Sequence, residues 1–483
     1  MARLCRKQNL FFYLVFVCFA FGCLYMMISI TQIEFDQGSI KNPENSEELD
    51  SKVGQQKFLP GDNGGPADIL DKSVELFAGL NPKVAAGLKL GSAEKLADDN
   101  NNKPKVVTVE SLVKDADHFV NNFPPPNYNI HVFYYPWYGN PEYNRKYVHW
   151  NHGYIEHWDK KIATKWPTGR HQPPDDIGSN FYPELGCYSS SDVDVMDNHM
   201  QQIRSAGIGV VVVSWYPPEQ SDPEGIPSDS LIIPLLDAAY KYQLKIAIHS
   251  EPYKDRDDHT LKEDVKYIID SYAAHPAFYT YETQGRMVPL IYVYDSYLTK
   301  PQQWKRLLKP DGKHSIRGTR YDAIFIALLV DLKHKNEIIS SGFDGFYTYF
   351  ATNGFTYGSA HKNWKELSRF AGNAGLMFIP SVGPGYVDTR IRPWNAQNTR
   401  QRMGGKYYND GFQQAFEADT EIISITSFNE WHEGSQIEKA VPKKTPQYTY
   451  MDYAPQKSDY YLQTTRDWVD KFAKKQENNK LKL

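Results

Sequence analysis

The sequence predicts an α/β fold, a (β/α)8 barrel of the TIM type, because eight short apolar or aromatic runs alternate with stretches of helical spacing. The runs are HVFYYPWY, IGVVVVSWYPP, LKIAIHSEPY, VPLIYVYDSY, AIFIALLVD, FDGFYTYF, LMFIPSVGPGY and EIISITSFNEWHE. Continuous apolar runs are typical of parallel strands that are buried on both faces. An open, doubly wound sheet is the main alternative. No Gly-x-Gly-x-x-Gly follows the first run, which argues against dinucleotide binding but not against that topology.

The segments between the runs carry the apolar spacing of amphipathic helices. The clearest examples are VDVMDNHMQQIRSAG, SLIIPLLDAAYKYQL and HKNWKELSRFAGNAG. The first and the third end in glycine, as helices commonly do. Near the C-terminus, YYLQTTRDWVDKFAKK predicts a last amphipathic helix.

Composition sets broad limits on function. The chain has 483 residues, 41% of them hydrophobic, and a net charge of -4, so it can bury a large core and shows no bias toward nucleic acid. Its 34 Tyr, 24 Phe and 10 Trp make it rich in aromatic rings. Most aromatic side chains serve core packing, but their flat faces also suit contact with sugar rings.

The N-terminus predicts a membrane anchor. Residues 10–30 form an almost uninterrupted apolar run, close to the roughly 20 residues that cross a bilayer as a helix. Basic residues precede the run and acidic residues follow it, which keeps the short tail cytosolic. We therefore predict a cytosolic tail (1–9), a transmembrane signal-anchor (10–30), a polar stalk (31–105) and one lumenal catalytic domain (106–483).

Polar or aromatic residues follow nearly every apolar run. In a barrel these strand ends converge on the C-terminal face, where the active sites of this fold are built. Each residue alone could equally cap a loop. The strand-end residues are Trp137, Tyr138, Trp215, Tyr216, His249, Glu251, Tyr253, Tyr294, Asp295, Asp331, Tyr347, Tyr349, Tyr386, Asp388, Asn429, Glu430 and Glu433.

Glu430 and Glu433 are the candidate catalytic pair. Glycoside cleavage needs one acid to protonate the leaving oxygen and a second carboxylate as nucleophile or base. If the segment after Asn429 makes one helical turn, residues three apart point to the same side, with Cβ atoms ~5–6 Å apart. Two acids at this spacing more often form a solvated face. Their position after the last run, with Trp431 and His432 between them, favours catalysis.

Other chemistry is poorly supported. The histidines of the loop after the first run, among them His149 and His152, lack a third ligand in any familiar metal-binding pattern. Ser214 lacks the Gly-x-Ser-x-Gly elbow of a serine hydrolase. We therefore expect no metal and no cofactor.

Several long motifs carry a family resemblance. They are FYYPWYGNPEYNRKYVHWNH, GRHQPPDDIGSNFYPELG, SWYPP, EPY, FDGFYTYFATNGFTYGS, FIPSVGPGYVDTRIRPWN and SITSFNEWHEGSQIEKAVPK. Together, over about residues 131–461, they resemble the glycoprotein endo-α-1,2-mannosidase family of Golgi membranes. The resemblance implies a retaining endo-glycosidase that cuts the α-1,2 bond next to a glucosylated mannose in high-mannose N-glycans and releases glucosyl-mannose.

The resemblance also implies residue roles. Glu433 matches the general acid/base, and Glu430 matches the residue that deprotonates the sugar's own 2-hydroxyl. That hydroxyl would attack the anomeric carbon and give a 1,2-anhydro sugar, unlike the usual carboxylate nucleophile. The residues implied to line the sugar subsites are Trp137, Tyr138, His149, Trp215, Tyr216, Glu251, Tyr253, Tyr294 and Tyr347.

Two other classes of protein compete with this interpretation. A non-catalytic lumenal lectin would keep the aromatic rim but would not need both Glu430 and Glu433. A Golgi glycosyltransferase would share the anchor and stalk and commonly carries an Asp-x-Asp motif. Asp192 and Asp194 fit that motif, but they open a predicted helix, where the helix dipole favours acids. Golgi localisation as a single-pass type II protein follows from the resemblance.

Overall fold

The computed structural model describes residues 123–480, with side chains up to residue 478. The predicted tail, anchor and stalk lie outside the described residues. Within residues 123–480, none of the helices combines the length and the apolar character that a membrane crossing requires.

One sheet contains the strands of the described region. The strands are β1 (Asn127–Tyr134), β2 (Ile208–Trp215), β3 (Lys245–Ser250), β4 (Thr280–Thr283), β5 (Arg286–Val293), β6 (Ile324–Leu328), β7 (Gly345–Tyr347), β8 (Met377–Ile379), β9 (Ser381–Val382) and β10 (Ile423–Ile425). Each of the eight predicted runs overlaps at least one of them.

The parallel strands form a nearly closed barrel in the order β8-β7-β6-β5-β3-β2-β1-β10-β9. β8 and β9 are neighbours in the chain, separated by Pro380. β8 pairs with β7 (Phe378 opposite Phe346), whereas β9 pairs with β10 (Val382 opposite Ile425). This one interrupted strand therefore joins the two ends of the sheet, consistent with the predicted (β/α)8 fold and not with an open sheet. Only β4 runs antiparallel, on β5.

Helices follow most barrel strands. They are α1 (Pro141–Asn144), α2 (Lys160–Ala163), α3 (Val193–Ser205), α4 (Ile232–Lys241), α5 (Asp258–Tyr272), α6 (Pro301–Leu308), α7 (His334–Ser341), α8 (Trp364–Ala374), α9 (Lys406–Glu417) and α10 (Tyr460–Lys480). Short 3-10 helices span Asp229–Leu231, Ser296–Leu298, His361–Asn363, Pro393–Asn398 and Met403–Gly405.

Local sequence explains these elements. All eight residues of β2 are buried, as expected for a strand covered on both faces. Asp192 caps α3 by accepting a hydrogen bond from the backbone N–H of Asp194, so the Asp-x-Asp motif is a helix start, as interpreted from the sequence. Gly375 ends α8 with a φ of 64°, a conformation that favours glycine.

Candidate active site

A short segment after β10 carries both candidate acids. Glu430 directly precedes a turn, and Glu433 lies within that turn. The turn closes where the N–H of Gly434 donates to the carbonyl of Trp431 at 3.2 Å. Gly434 has a φ of 59°, and a Cβ atom there would lie 2.6 Å from Val387, so only glycine fits. The segment after Asn429 therefore forms a hydrogen-bonded turn and not a helix, at the C-terminal end of the barrel strands.

Hydrogen bonds from the end of β1 hold this turn in place. The Tyr138 hydroxyl donates to the carbonyl of Asn429 at 2.9 Å and accepts from the N–H of Trp431 at 3.1 Å. The Asn429 amide donates to the carbonyl of Tyr135 at 3.0 Å and accepts from its N–H at 2.8 Å. These bonds fix the backbone on both sides of Glu430.

Glu430 is buried and held by its own turn. Its side chain is 5% exposed, and its Oε1 accepts from the N–H of His432 at 3.1 Å. Burial raises the pKa of Glu430 to about 7, because a carboxylate loses hydration there. The charges of His149 and Arg392 oppose this rise. Glu430 thus becomes a stronger base than an ordinary carboxylate.

Glu433 lies closer to solvent, with 23% of its side chain exposed. Its Oε1 is 4.0 Å from Nη1 of Arg392. Burial and the nearby charge of Glu430 raise the pKa of Glu433 to about 8, against the attraction of Arg392. The backbone N–H groups of His432 and Glu433 favour the ionised form of Glu430, whereas the charge of Glu430 favours the protonated form of Glu433, so the surroundings place the proton on Glu433. The pair is therefore equipped as one acid and one base.

Arg392 is a functional candidate that the sequence reasoning missed. Its Nη1 is 3.2 Å from Oδ2 of the fully buried Asp388. The same oxygen accepts hydrogen bonds from the Tyr386 hydroxyl at 2.9 Å and the Asn395 amide at 2.8 Å. Asp388 is one of the predicted strand-end residues. Arg392 stands four residues after Asp388 in the loop that follows β9, and this spacing is the sequence signal that could have identified it.

Two tyrosines near the pair were also left out of the predicted site. The hydroxyls of Tyr135 and Tyr349 hydrogen-bond to each other. Burial and the charges of Glu430 and Glu433 raise the pKa of both phenols far above the ordinary value. Both side chains therefore remain neutral hydroxyls beside the pair. Tyr349 is one of the predicted strand-end residues, near the end of the FDGFYTYF run, but the family resemblance did not assign it to a sugar subsite.

Trp137, Tyr138 and His149 lie close to the segment that carries the pair, and their contact with sugar stays a prediction. The indole of Trp137 stacks on the imidazole of His149 at 4.4 Å, and His149 lies 5.3 Å from the ring of His432. The indole N–H of Trp137 is buried, and it interacts with the side chain of Tyr138.

A second group of predicted residues surrounds Glu251. Glu251 Oε1 accepts from Ser214 Oγ at 2.9 Å and lies 3.1 Å from Nδ1 of His249. His249 Nε2 lies 2.7 Å from the Tyr347 hydroxyl. The ring of Tyr294 lies 5.2 Å from His249, and the charges of Glu433 and Glu251 add to burial in raising its pKa. Burial, Glu251 and Asp222 likewise raise the pKa of Tyr216.

Comparison with known proteins places this site in a family. The model of glycosyl hydrolase family 99 matches residues 125–474. The chain belongs to glycosyl hydrolase family 99. A glycoprotein endo-alpha-1,2-mannosidase of Rattus norvegicus is 58% identical over 356 residues, covering 74% of this chain and 77% of the relative. A glycoprotein endo-alpha-1,2-mannosidase-like protein of Homo sapiens is 55% identical over 350 residues, covering 72% and 77%.

A solved family 99 endo-alpha-mannosidase from Bacteroides thetaiotaomicron is similar in structure as well. It is 43% identical, with a TM-score of 0.67, and the match covers 72% of this chain and 98% of that one. The family resemblance noted from the motifs is confirmed. The chain is a glycoside hydrolase, a class of enzyme that needs two carboxyl groups flanking the scissile bond.

Trp215 and Tyr253 were predicted to bind sugar in this glycoside hydrolase, but their polar groups form hydrogen bonds with the surrounding helices instead. Trp215 is fully buried; its indole N–H donates to Asp229 at 2.7 Å, and its ring stacks on Tyr267 of α5 at 6.4 Å. The Tyr253 hydroxyl donates to Asp264, also on α5. Successive strand residues point to opposite faces, so Trp215 points away from the face that Ser214 shares with Glu251. Sugar contact through Trp215 and Tyr253 stays a prediction.

One cluster in the described part of the family 99 domain has metal-ligand chemistry. It consists of Asp258, His259 and His314. The guanidinium of Arg306 donates to both carboxylate oxygens of Asp258, at 2.8 and 2.7 Å. The cluster therefore fits an ion-pair network better than a metal site.

Proposed function

We propose that this chain is a retaining endo-α-1,2-mannosidase. It cleaves the bond next to a glucosylated mannose in high-mannose N-glycans and releases glucosyl-mannose. The observation that carries the proposal is the pair Glu430 and Glu433, which lie three residues apart at the turn after β10 and whose pKa values are both raised by burial. The names of the rat and bacterial relatives support the linkage and the endo mode of attack.

In the proposed mechanism, Glu433 protonates the leaving oxygen while Glu430 takes the proton of the sugar 2-hydroxyl. The freed oxygen bonds to the anomeric carbon as the glycosidic bond breaks, which gives a 1,2-anhydro sugar. Water then opens the three-membered ring: Glu433 removes the proton of the water, and Glu430 returns its proton to O2. Each carboxyl ends in its starting state. The different surroundings of the two carboxyls support the assignment of Glu433 as the acid and Glu430 as the base.

The substrate is tested by incubating the full-length chain with high-mannose N-glycans that do or do not carry terminal glucose. We expect a glucose-containing disaccharide from the glucosylated glycan alone. Mass spectrometry of the released sugars gives the product size. Equal cleavage of both glycans would contradict the proposed specificity. Binding without cleavage would favour the non-catalytic, lectin-like alternative.

We also propose that residues 10–30 anchor the protein in the Golgi membrane with the catalytic domain in the lumen. The apolar run and the charges on either side of it support this orientation. Protease added to intact Golgi vesicles is expected to spare the domain that contains Glu430. Digestion of that domain without detergent would contradict the orientation.

The pH dependence of kcat/KM is expected to be a narrow bell with limbs near pH 7 and pH 8. Glu430 is a base only when ionised, so activity falls as the pH drops below its raised pKa. Glu433 is an acid only when protonated, so activity falls as the pH rises above its higher pKa. Initial rates from about pH 5 to 9 measure both limbs. An acidic limb near the ordinary carboxyl value of 4.5 would contradict the burial argument.

A further inference from the structure

His432 stands between the two acids in the sequence, and its neutral ring can exist in only one tautomer. Its Nε2 is 3.0 Å from the carbonyl oxygen of His149. A carbonyl oxygen can only accept, so Nε2 carries the hydrogen. Burial lowers the pKa of His432 to about 3, which keeps the ring neutral. Nδ1 therefore carries no hydrogen, and its lone pair can accept a hydrogen bond.

That lone pair faces the candidate base. Nδ1 of His432 is 3.4 Å from Oε1 of Glu430. An ionised carboxylate offers only acceptors, so the two atoms repel each other. A protonated carboxyl donates a hydrogen bond to the same nitrogen. The contact therefore favours the protonated form of Glu430.

The backbone of His149 is shaped to make this contact. Its φ is 62°, a left-handed conformation that is uncommon outside glycine. Its carbonyl also accepts from the N–H of His152 at 2.9 Å, and Trp137 stacks on its ring. Backbone strain of this kind persists where the surroundings enforce it and often marks a functional site. Here it aims the carbonyl at Nε2 of His432.

We propose that His432 is a positioning residue for Glu430. Nδ1 of His432 accepts a hydrogen bond from the Glu430 carboxyl once that carboxyl has taken the proton of the substrate hydroxyl. The inference rests on the proposed function. The O–H bond of the sugar breaks and an O–H bond forms on Glu430. His432 gains no proton, because the hydrogen stays on Glu430 until it returns to O2. The contact therefore strengthens the base without changing the charge of the imidazole.

Other groups also act on Glu430, from each element that packs around it. Glu433, three residues further along the chain, carries a carboxyl that interacts with the charge of Glu430. His149 and Arg392 oppose protonation, whereas burial favours it. Among the described residues, Tyr135 and Tyr138 at the end of β1 and Tyr349 after β7 also interact with its charge. His432 differs from these groups in that its ring nitrogen Nδ1 lies 3.4 Å from a carboxyl oxygen of Glu430.

The test replaces His432 with Gln in the full-length chain. The Gln amide N–H occupies the place of Nε2 and can still donate to the His149 carbonyl, but nothing replaces the acceptor at Nδ1. A water-soluble carbodiimide labels carboxyls in their protonated form, and peptide mass spectrometry quantifies the labelling of Glu430 at each pH. His152→Gln is the matched control, because that ring lies 4.8 Å from His432.

We expect the labelling midpoint of Glu430 to fall by about one pH unit in His432→Gln, which is about 1.4 kcal/mol, and to stay in place in His152→Gln. We also expect kcat to fall about tenfold with little change in KM. An unchanged midpoint in His432→Gln would overturn the proposal. So would equal shifts in both variants, because water entry would explain them. Labelling needs no substrate, so a failed cleavage assay would contradict the proposed function separately.

Discussion

Glu433→Gln is expected to lower kcat/KM on a glucosylated high-mannose glycan by about 10²–10⁴-fold, and Glu430→Gln by a similar factor. Gln cannot donate the proton that the leaving oxygen needs, nor accept the proton of the 2-hydroxyl. Both changes keep the size of the side chain and remove its ability to gain or lose a proton. Release of the disaccharide under single-turnover conditions measures the loss.

A substrate with an activated aryl leaving group separates the two roles. Such a group departs without protonation, so it should restore formation of the anhydro sugar in Glu433→Gln but not in Glu430→Gln. Glu263→Gln is the control, because that side chain is 66% exposed and lies on α5. Retention of more than about a tenth of the activity in both pair variants would contradict the assignment.

Glu438→Ala is expected to destabilise the domain by about 3–5 kcal/mol, because it removes one partner of a buried charged network. Glu438 is fully buried. Its Oε1 is 3.2 Å from Nε2 of His199, and its Oε2 accepts from Trp431 Nε1 and the Tyr188 hydroxyl, each at 2.9 Å. Truncation leaves these groups without their acceptor. Urea unfolding followed by tryptophan fluorescence measures the change in the free energy of unfolding.

Two further variants make this prediction specific. Glu438→Gln keeps one oxygen acceptor and should cost less than Glu438→Ala. Glu184→Ala removes a partly exposed acid that pairs with Lys439 and should change stability by less than about 1 kcal/mol. Equal stability of Glu438→Ala and the unchanged chain would show that the network does not support the turn of Glu430 and Glu433.

The strands were predictable because the information is local. A strand buried on both faces must be apolar along its whole length, and β2 shows this in IGVVVVSW. The interruption at Pro380, which divides one predicted run into β8 and β9, was not predicted. Proline lacks the N–H that a continuous ladder needs, but only the pairing of each half shows how the barrel closes.

The expectation that strand-end residues form the site selected the region of the acid pair, but it also included residues that point away from that region. It identified Glu251 and Tyr347, which meet through His249. It could not separate them from Trp215, because that expectation rests on the position in the strand and not on the face to which a side chain points. The alternation of faces becomes decisive only when the partners on each side, such as Asp229, are known.

The sequence by itself determined the eight strand runs, the acid pair three residues apart after the last of them, and the family motifs. Only the tertiary structure decided that the two carboxyls differ. The carbonyl that sets the tautomer of His432 belongs to His149, 283 positions away, and Arg392 approaches Glu433 from the loop after β9. Burial and charge depend on distances in space, and sequence spacing does not record contacts between residues so far apart in the chain.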